Sequence, residues 1–184
     1  VPGVDLGPVL VTEKDRTMIS FATDNQLDFI GLSFVESAKH VKMIRDVVGS
    51  SQLPKIVSKI ENQIGYFNMQ DIIEASDAIM IDRGDLSVET DLETVALRQK
   101  AIIRTAQMLS KPVIVATEML NSMIVNSFPS KAEVSDVTNA VLDGCSATML
   151  SGETAVGSFP IEAVTTMRKI IEHAESFVSS GLIA

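Results

Sequence analysis

Three observations predict an α/β fold of parallel strands joined by crossover helices. Short apolar runs alternate five times with longer segments in which apolar residues recur at helical spacing. The runs are nearly continuous in their apolar character, as strands covered on both faces by helices must be. Each run ends in polar residues: Ser33, then Lys59 with Glu61, Arg83 with Asp85, Thr117, and Ser151 with Glu153. No GxGxxG or GxxxxGK[ST] turn follows any of them, which disfavours a doubly wound nucleotide-binding sheet. A (β/α)8 barrel of the TIM type instead collects its chemistry at the C-terminal ends of many strands, and that is the architecture predicted. Five strands cannot close eight, so the chain supplies part of such a barrel.

The elements follow in order. The pattern Thr12-x-x-Asp15 is a capping box and starts a helix over 12–23, with no strand of its own before it. The run 28–33 (DFIGLS) is the first strand, and Ala38, Val41, Ile44 and Val48 mark the apolar stripe of a helix over 36–48. Strand 55–61 (KIVSKIE) precedes a helix over 66–75, and strand 78–82 (AIMID) precedes a long helical stretch over 91–109. Strand 112–117 (PVIVAT) leads to a helix over 131–142, started by the capping box Ser130-x-x-Glu133 and stopped by Gly144. Strand 147–151 (ATMLS) leads to a last helix over 161–178, with Pro160 in its first turn. No linker or low-complexity tract interrupts the series, so one domain is expected over 1–184.

Composition narrows the function classes. The 184 residues are 46% hydrophobic and 21% charged, enough for one buried core and too mixed for disorder or a coiled coil. The formal charge of −9 and a pI near 4.7 argue against nucleic acid or an anionic membrane as a partner held by bulk electrostatics. Cys145 is the only cysteine, which excludes an intrachain disulfide, and no targeting or membrane-spanning segment is visible. A cytoplasmic setting is expected.

Lys59 and Glu61 stand two apart on one strand and therefore on one face, and Asp85 ends the neighbouring strand. Two hard oxygen donors with room for water and substrate oxygens suit Mg2+, and an ammonium beside them suits charge building on a phosphoryl group or an enolate. A structural salt bridge at the strand ends fits the same spacing. Arg83-Gly84-Asp85 places a glycine where backbone amides can be approached, as for a carboxylate, or where a plain strand-to-helix turn is made. The hydroxyls of Thr117 and Ser151 end strands, where they can position a substrate or simply cap a turn. His40 and His173 fall on helices and form no metal cluster with the cysteine.

Taken together and in order, Ser58-Lys59-Ile60-Glu61-Asn62-x-x-Gly65, Arg83-Gly84-Asp85-Leu86, Ala116-Thr117-x-Met119-Leu120, Ala132-Glu133-Val134-Ser135-Asp136-Val137 and Met149-Leu150-Ser151-Gly152-Glu153-Thr154-Ala155 make the chain resemble the pyruvate kinase family over nearly its whole length. The resemblance implies strands 4–8 of the catalytic barrel, with Val1-Pro2-Gly3 at the point where the chain rejoins after an inserted lid domain. It implies phosphoryl transfer from phosphoenolpyruvate to ADP, giving pyruvate and ATP through an enolate. Glu61 and Asp85 would hold Mg2+ or Mn2+. Lys59 would stabilise the phosphoryl group and enolate oxygen, and Thr117 would stand beside the carbon that gains a proton. The backbone of Arg83, Gly84 and Asp85 would receive the substrate carboxylate, with Ser33 on the phosphate side and Ser151 in the polar network of the pocket. K+, most of whose site falls outside this chain, and a homo-oligomer, a tetramer in the family, are implied as well.

The first three strands, the lid and the C-terminal regulatory domain of the family have no counterpart in these residues, so the isolated segment is expected to be inert. The chain also departs from the family pattern. Members usually carry a small residue at Asp82, glycine at Ser87, glutamine at Glu118, and arginine near Glu36 and Lys131. Extra acids beside an anion pocket should weaken activity unless they turn away, and lysine lacks the bidentate fork of arginine. Two further readings share the Lys and carboxylate chemistry: another metal-dependent pyruvate or phosphoenolpyruvate barrel enzyme such as an aldolase, and a catalytically silent relative kept for regulation or interaction.

Overall fold

The computed structural model describes residues 11–181, and the Val1-Pro2-Gly3 junction lies outside the described residues. The chain packs as two compact units that divide after Pro112. The first contains α1 (Glu13–Asp24), β1 (Phe29–Leu32), α2 (Ala38–Val48), β2 (Lys55–Ile60), α3 (Gln63–Phe67), α4 (Met69–Ala75), β3 (Ala78–Asp82), α5 (Arg83–Glu89), a 3-10 turn at Leu92–Thr94 and α6 (Val95–Met108). Its strands pair in parallel, β1 with β2 and β2 with β3, with Phe29 level with Lys55 and Lys59 level with Met80.

α1 begins as the capping box requires: the Thr12 hydroxyl accepts the Asp15 N–H at 3.1 Å and Asp15 accepts the Thr12 N–H at 2.8 Å. The apolar stripe of α2, with Val41, Ile44 and Val48 buried, packs into a cluster with Val35, Ile56 and Ile72. Several polar groups inside this unit are tied to one another. Ser58 and Ser76 share a 2.6 Å hydroxyl bond, and Ser76 donates to the Ile72 carbonyl at 2.6 Å. Asp77 accepts the Ile56 N–H at 2.7 Å and pairs with Arg45 at 2.9 Å, fastening α2 and the start of β3 to β2.

Two stretches differ from the sequence expectation. The helix expected over 66–75 is broken at Asn68, which ends α3 and begins α4, its side-chain amide donating to the Glu36 carbonyl at 2.8 Å. The chain after β3 turns directly into α5, so Arg83-Gly84-Asp85 is the first turn of a helix. The long helix expected from 91 begins at Val95, behind the 3-10 turn.

The second unit contains β4 (Val113–Ala116), a 3-10 turn at Asn121–Ile124, α7 (Lys131–Leu142), β5 (Ala147–Met149), α8 (Gly152–Ala155) and α9 (Pro160–Ser179). β4 and β5 pair in parallel with Ile114 level with Ala147, and α7 packs on α9. The Ser130–Glu133 capping box forms, and the Glu133 carboxylate also takes the Ser122 N–H at 2.7 Å, tying the 3-10 turn to α7. Gly144 follows α7 at φ 88°, the left-handed conformation that favours glycine. Parallel strands joined by crossover helices, the α/β class, are thus what the sequence encodes. Among the described residues no helix is long and apolar enough to cross a membrane.

Candidate functional site

The site in the first unit is built from the C-terminal ends of β2 and β3. Lys59 is the fifth residue of β2, Glu61 follows the strand, and Asp82 closes β3. Lys59 Nζ lies 2.9 Å from Glu61 Oε2 and 2.9 Å from Asp82 Oδ2. One carboxylate oxygen each from Glu61, Asp82 and Asp85 falls within 4.8 Å of the others, Glu61 and Asp82 being buried and Asp85 more accessible. Lys59 and Glu61 do share a face, as their spacing predicts. The acid that ends the neighbouring strand is Asp82, however, and Asp85 reaches the cluster from the first turn of α5.

Glu61 is held on both sides. Its Oε1 accepts the Phe34 N–H at 2.6 Å, and Phe34 presents that amide from a left-handed conformation, φ 52°, just past β1. Its Oε2 is buried and forms the ion pair with Lys59 without a regular hydrogen bond. Burial pushes the Glu61 carboxyl above its ordinary value, and the Lys59 and Phe34 donors only partly offset it, with the neighbouring charge of Asp82 adding to the rise. Desolvation acts to depress the Lys59 ammonium, but the two carboxylates outweigh it and hold its pKa above that of a free lysine. Lys59 is therefore a firm cation.

The rest of the Lys59–Gly65 motif is scaffolding for that carboxylate. Asn62 caps α3 by accepting the Gly65 N–H at 2.7 Å. A Cβ on Gly65 would stand 2.4 Å from the Val35 carbonyl oxygen, so only glycine lets α3 approach the segment that carries Phe34. Arg83 is buried and directs its guanidinium to Gln99 at 3.5 Å, and Ser87 donates to the Gly84 carbonyl at 2.8 Å inside α5. Ser33 is exposed at the end of β1. Glu36 is exposed too.

In the second unit Thr117 and Glu118 leave β4 in left-handed conformations, φ 67° and 53°. Such a conformation is costly for a β-branched residue and is the kind of strain that collects at functional positions. Thr117 Oγ1 donates to the Ala116 carbonyl at 2.6 Å, while Glu118 is exposed. Ser151 follows β5, and its Oγ is buried with no hydrogen-bond partner. Glu153, which the sequence offers only as a polar strand-end residue, is buried and accepts the Leu120 N–H at 2.9 Å and the Ser151 N–H at 2.8 Å. It joins the segments that follow β4 and β5. Lys131 is exposed as the first residue of α7. Burial and Asp143 push the Cys145 thiol up to about 11, so it is no nucleophile at neutral pH.

The family model for the pyruvate kinase barrel domain matches residues 1–164. The chain belongs to the pyruvate kinase family. It is 46% identical over 181 residues to a pyruvate kinase of Clostridium acetobutylicum, covering 97% of this chain and 38% of that protein. With a pyruvate kinase of Geobacillus stearothermophilus it shares 48% over 177 residues, 95% of this chain and 30% of the relative. With that of Dictyostelium discoideum it shares 46% over 181 residues, 98% and 36% respectively. The chain thus spans about a third of the length of these relatives. The pyruvate kinase match runs through both units and takes in the carboxylate cluster, Thr117 and Ser151 alike.

Proposed function

We propose that these residues are strands 4–8 of a catalytic barrel in a pyruvate kinase, one that carries the family's lid and regulatory domains outside this segment. It would transfer the phosphoryl group of phosphoenolpyruvate to ADP and protonate the resulting enolate to pyruvate. The observation that carries this reading is the cluster of Lys59 with Glu61, Asp82 and Asp85 at strand ends, inside a chain matched by the pyruvate kinase barrel family.

The donor set fits a divalent ion: all are hard carboxylate oxygens, and the buried Glu61 Oε2 lacks a regular hydrogen bond. Glu61 and Asp85 would hold Mg2+ or Mn2+. The ion, when bound, supplies positive charge against the phosphoryl and enolate oxygens. Phe34 fixes the Glu61 carboxylate so that one oxygen stays directed at the cluster. Lys59 keeps its proton and meets the negative charge that develops as the phosphoryl group leaves the enol oxygen. The backbone at Arg83-Gly84-Asp85 receives the substrate carboxylate, since Gly84 has no side chain to bar approach, and Ser33 lies on the phosphate side. Thr117 and Ser151 place hydroxyls for the proton that the enolate carbon gains, the buried Ser151 Oγ having no other bond to make. K+, a homo-oligomeric state and a cytoplasmic setting belong to the same reading.

The test is a coupled pyruvate assay on the full-length protein with phosphoenolpyruvate, ADP and Mg2+. Pyruvate formation that requires all three is expected, and Glu61→Gln and Asp85→Asn should each abolish the ordinary Mg2+ dependence. Wild-type Mg2+ dependence in both variants would remove the assignment, and pyruvate proton exchange independent of nucleotide would point to an aldolase-like enzyme instead.

A further inference from the structure

Glu153 is a buried carboxylate that the proposed chemistry does not use. Each of its oxygens accepts a main-chain amide: Oε1 takes the Leu120 N–H at 2.9 Å and Oε2 takes the Ser151 N–H at 2.8 Å. Burying a carboxylate is expensive, and the two segments that it joins are held together by other contacts as well. The Ser158 N–H donates to the Ile124 carbonyl at 2.8 Å, and a Cβ on Gly152 would stand 2.9 Å from the Ile124 side chain. What the carboxylate adds is orientation, because two charge-assisted bonds set the planes of two particular amides.

Those amides belong to the segments that carry the strand-end hydroxyls. Ala116 is level with Met149 in the β4–β5 pairing, so Thr117 and Ser151 follow the ends of neighbouring strands. Thr117 and Glu118 turn in left-handed conformations, after which Met119 and Leu120 enter the core and the Leu120 amide anchors the turn. On the other strand the bond is to the Ser151 N–H itself. It fixes the main chain from which a buried hydroxyl without a hydrogen-bond partner springs. One side chain thus gives both hydroxyl-bearing segments a common reference.

We infer that Glu153 is a positioning residue for protonation of the enolate, acting through the main chain at Thr117 and Ser151. In that step the enolate carbon bonds to a hydroxyl proton, solvent returns a proton to the hydroxyl oxygen, and the enolate oxygen becomes the ketone oxygen of pyruvate. The inference rests on the proposed role of the two hydroxyls and leaves metal binding independent of Glu153.

The experiment compares full-length wild type with Glu153→Gln, which keeps the size of the side chain and removes its charge. Turnover in H2O and in D2O is measured with phosphoenolpyruvate, ADP and Mg2+, and Mn2+ binding is followed by electron paramagnetic resonance. In the variant kcat should fall about a hundredfold, the scale on which a small misplacement of reacting groups acts. The solvent deuterium effect on kcat should grow as proton transfer comes to limit turnover. Mn2+ affinity should stay at the wild-type value, since the metal-binding carboxylates lie in the first unit. A lowered melting temperature with unchanged kcat, or a lowered kcat with an unchanged deuterium effect, overturns the inference and leaves the proposed function standing. No pyruvate from wild type overturns both. Should Glu153→Gln fail to fold, Glu153→Asp takes its place: a lowered kcat with a larger deuterium effect supports the positioning role, and an unchanged deuterium effect refutes it.

Discussion

Replacing Lys59 by Met removes the ammonium and keeps most of the length of its stem, so the perturbation is electrostatic. In the structure Nζ is 2.9 Å from each of two carboxylates whose side chains are 0% and 12% exposed, and Lys59 itself is 19% exposed. Taking one partner from a buried ion pair costs about 3–5 kcal/mol, because the other charge is left without compensation. The residual exposure of Lys59 and Asp82 places the expected loss near the lower end, about 3 kcal/mol. A divalent ion at the same carboxylates would replace the missing charge. Bound ion stabilises wild type as well, so the gap closes by the ratio of the two affinities: a site about a hundredfold tighter in the variant, where no ammonium competes for the carboxylates, closes about 2.7 kcal/mol of it. Urea unfolding of wild type and Lys59→Met, once with chelator and once with saturating Mn2+, should show a large midpoint difference in the first condition and a small one in the second. Turnover of the Mn2+-saturated variant should still be lower by roughly two to three orders of magnitude, since stability is restored but the charge aimed at the leaving phosphoryl is not. A stability loss under about 0.5 kcal/mol in chelator, or one that Mn2+ does not reduce, would refute the reasoning.

Gly65→Ala drives a methyl to 2.4 Å from the Val35 carbonyl oxygen and should destabilise the protein by about 1–3 kcal/mol while weakening Mn2+ binding through the displaced Phe34 amide; an unaltered melting temperature would show that α3 yields without strain. Asp77 gives a pH signature. Burial acts to raise its carboxyl, but the Ile56 amide and the Arg45 guanidinium prevail and hold it below the ordinary 3.8. A depressed folded pKa means stability that is full above the unfolded value and lost as pH falls through the folded one. The gap between wild type and Asp77→Asn, about 1–2 kcal/mol at pH 7, should therefore persist down to the ordinary aspartate range and close below it. Urea midpoints showing a gap independent of pH would contradict this.

The series of strands and helices was legible because apolar runs and helical stripes are local signals, and each capping box formed where its spacing put it. What escaped was information that no single segment holds. Asn68 breaks a helix because its side chain finds the Glu36 carbonyl, a partner 32 residues away. Asp82 reads as an acid hostile to an anion pocket until the β2–β3 register sets it beside Glu61 and within reach of Lys59. Asp85 looked like the end of a strand because the start of α5 has no apolar periodicity long enough to announce a helix. Thr117 and Ser151 were legible as strand-end hydroxyls, but the left-handed turn of one and the buried, unbonded oxygen of the other depend on the packing around them.

The carboxylate of Glu153 also explains why that position calls for an acid when an amide of the same shape is available. Two backbone donors, from Leu120 and Ser151, converge on its two oxygens in a buried place. Glutamine offers one acceptor oxygen and an NH2, so whichever way its amide is turned one N–H must face another N–H. Aspartate keeps both acceptors but falls a methylene short of the reach. Of the twenty residue types, glutamate alone supplies two acceptors at this distance, and the third letter of the Ser-Gly-Glu-Thr sequence is thereby a hydrogen-bond parity requirement written by two main-chain amides.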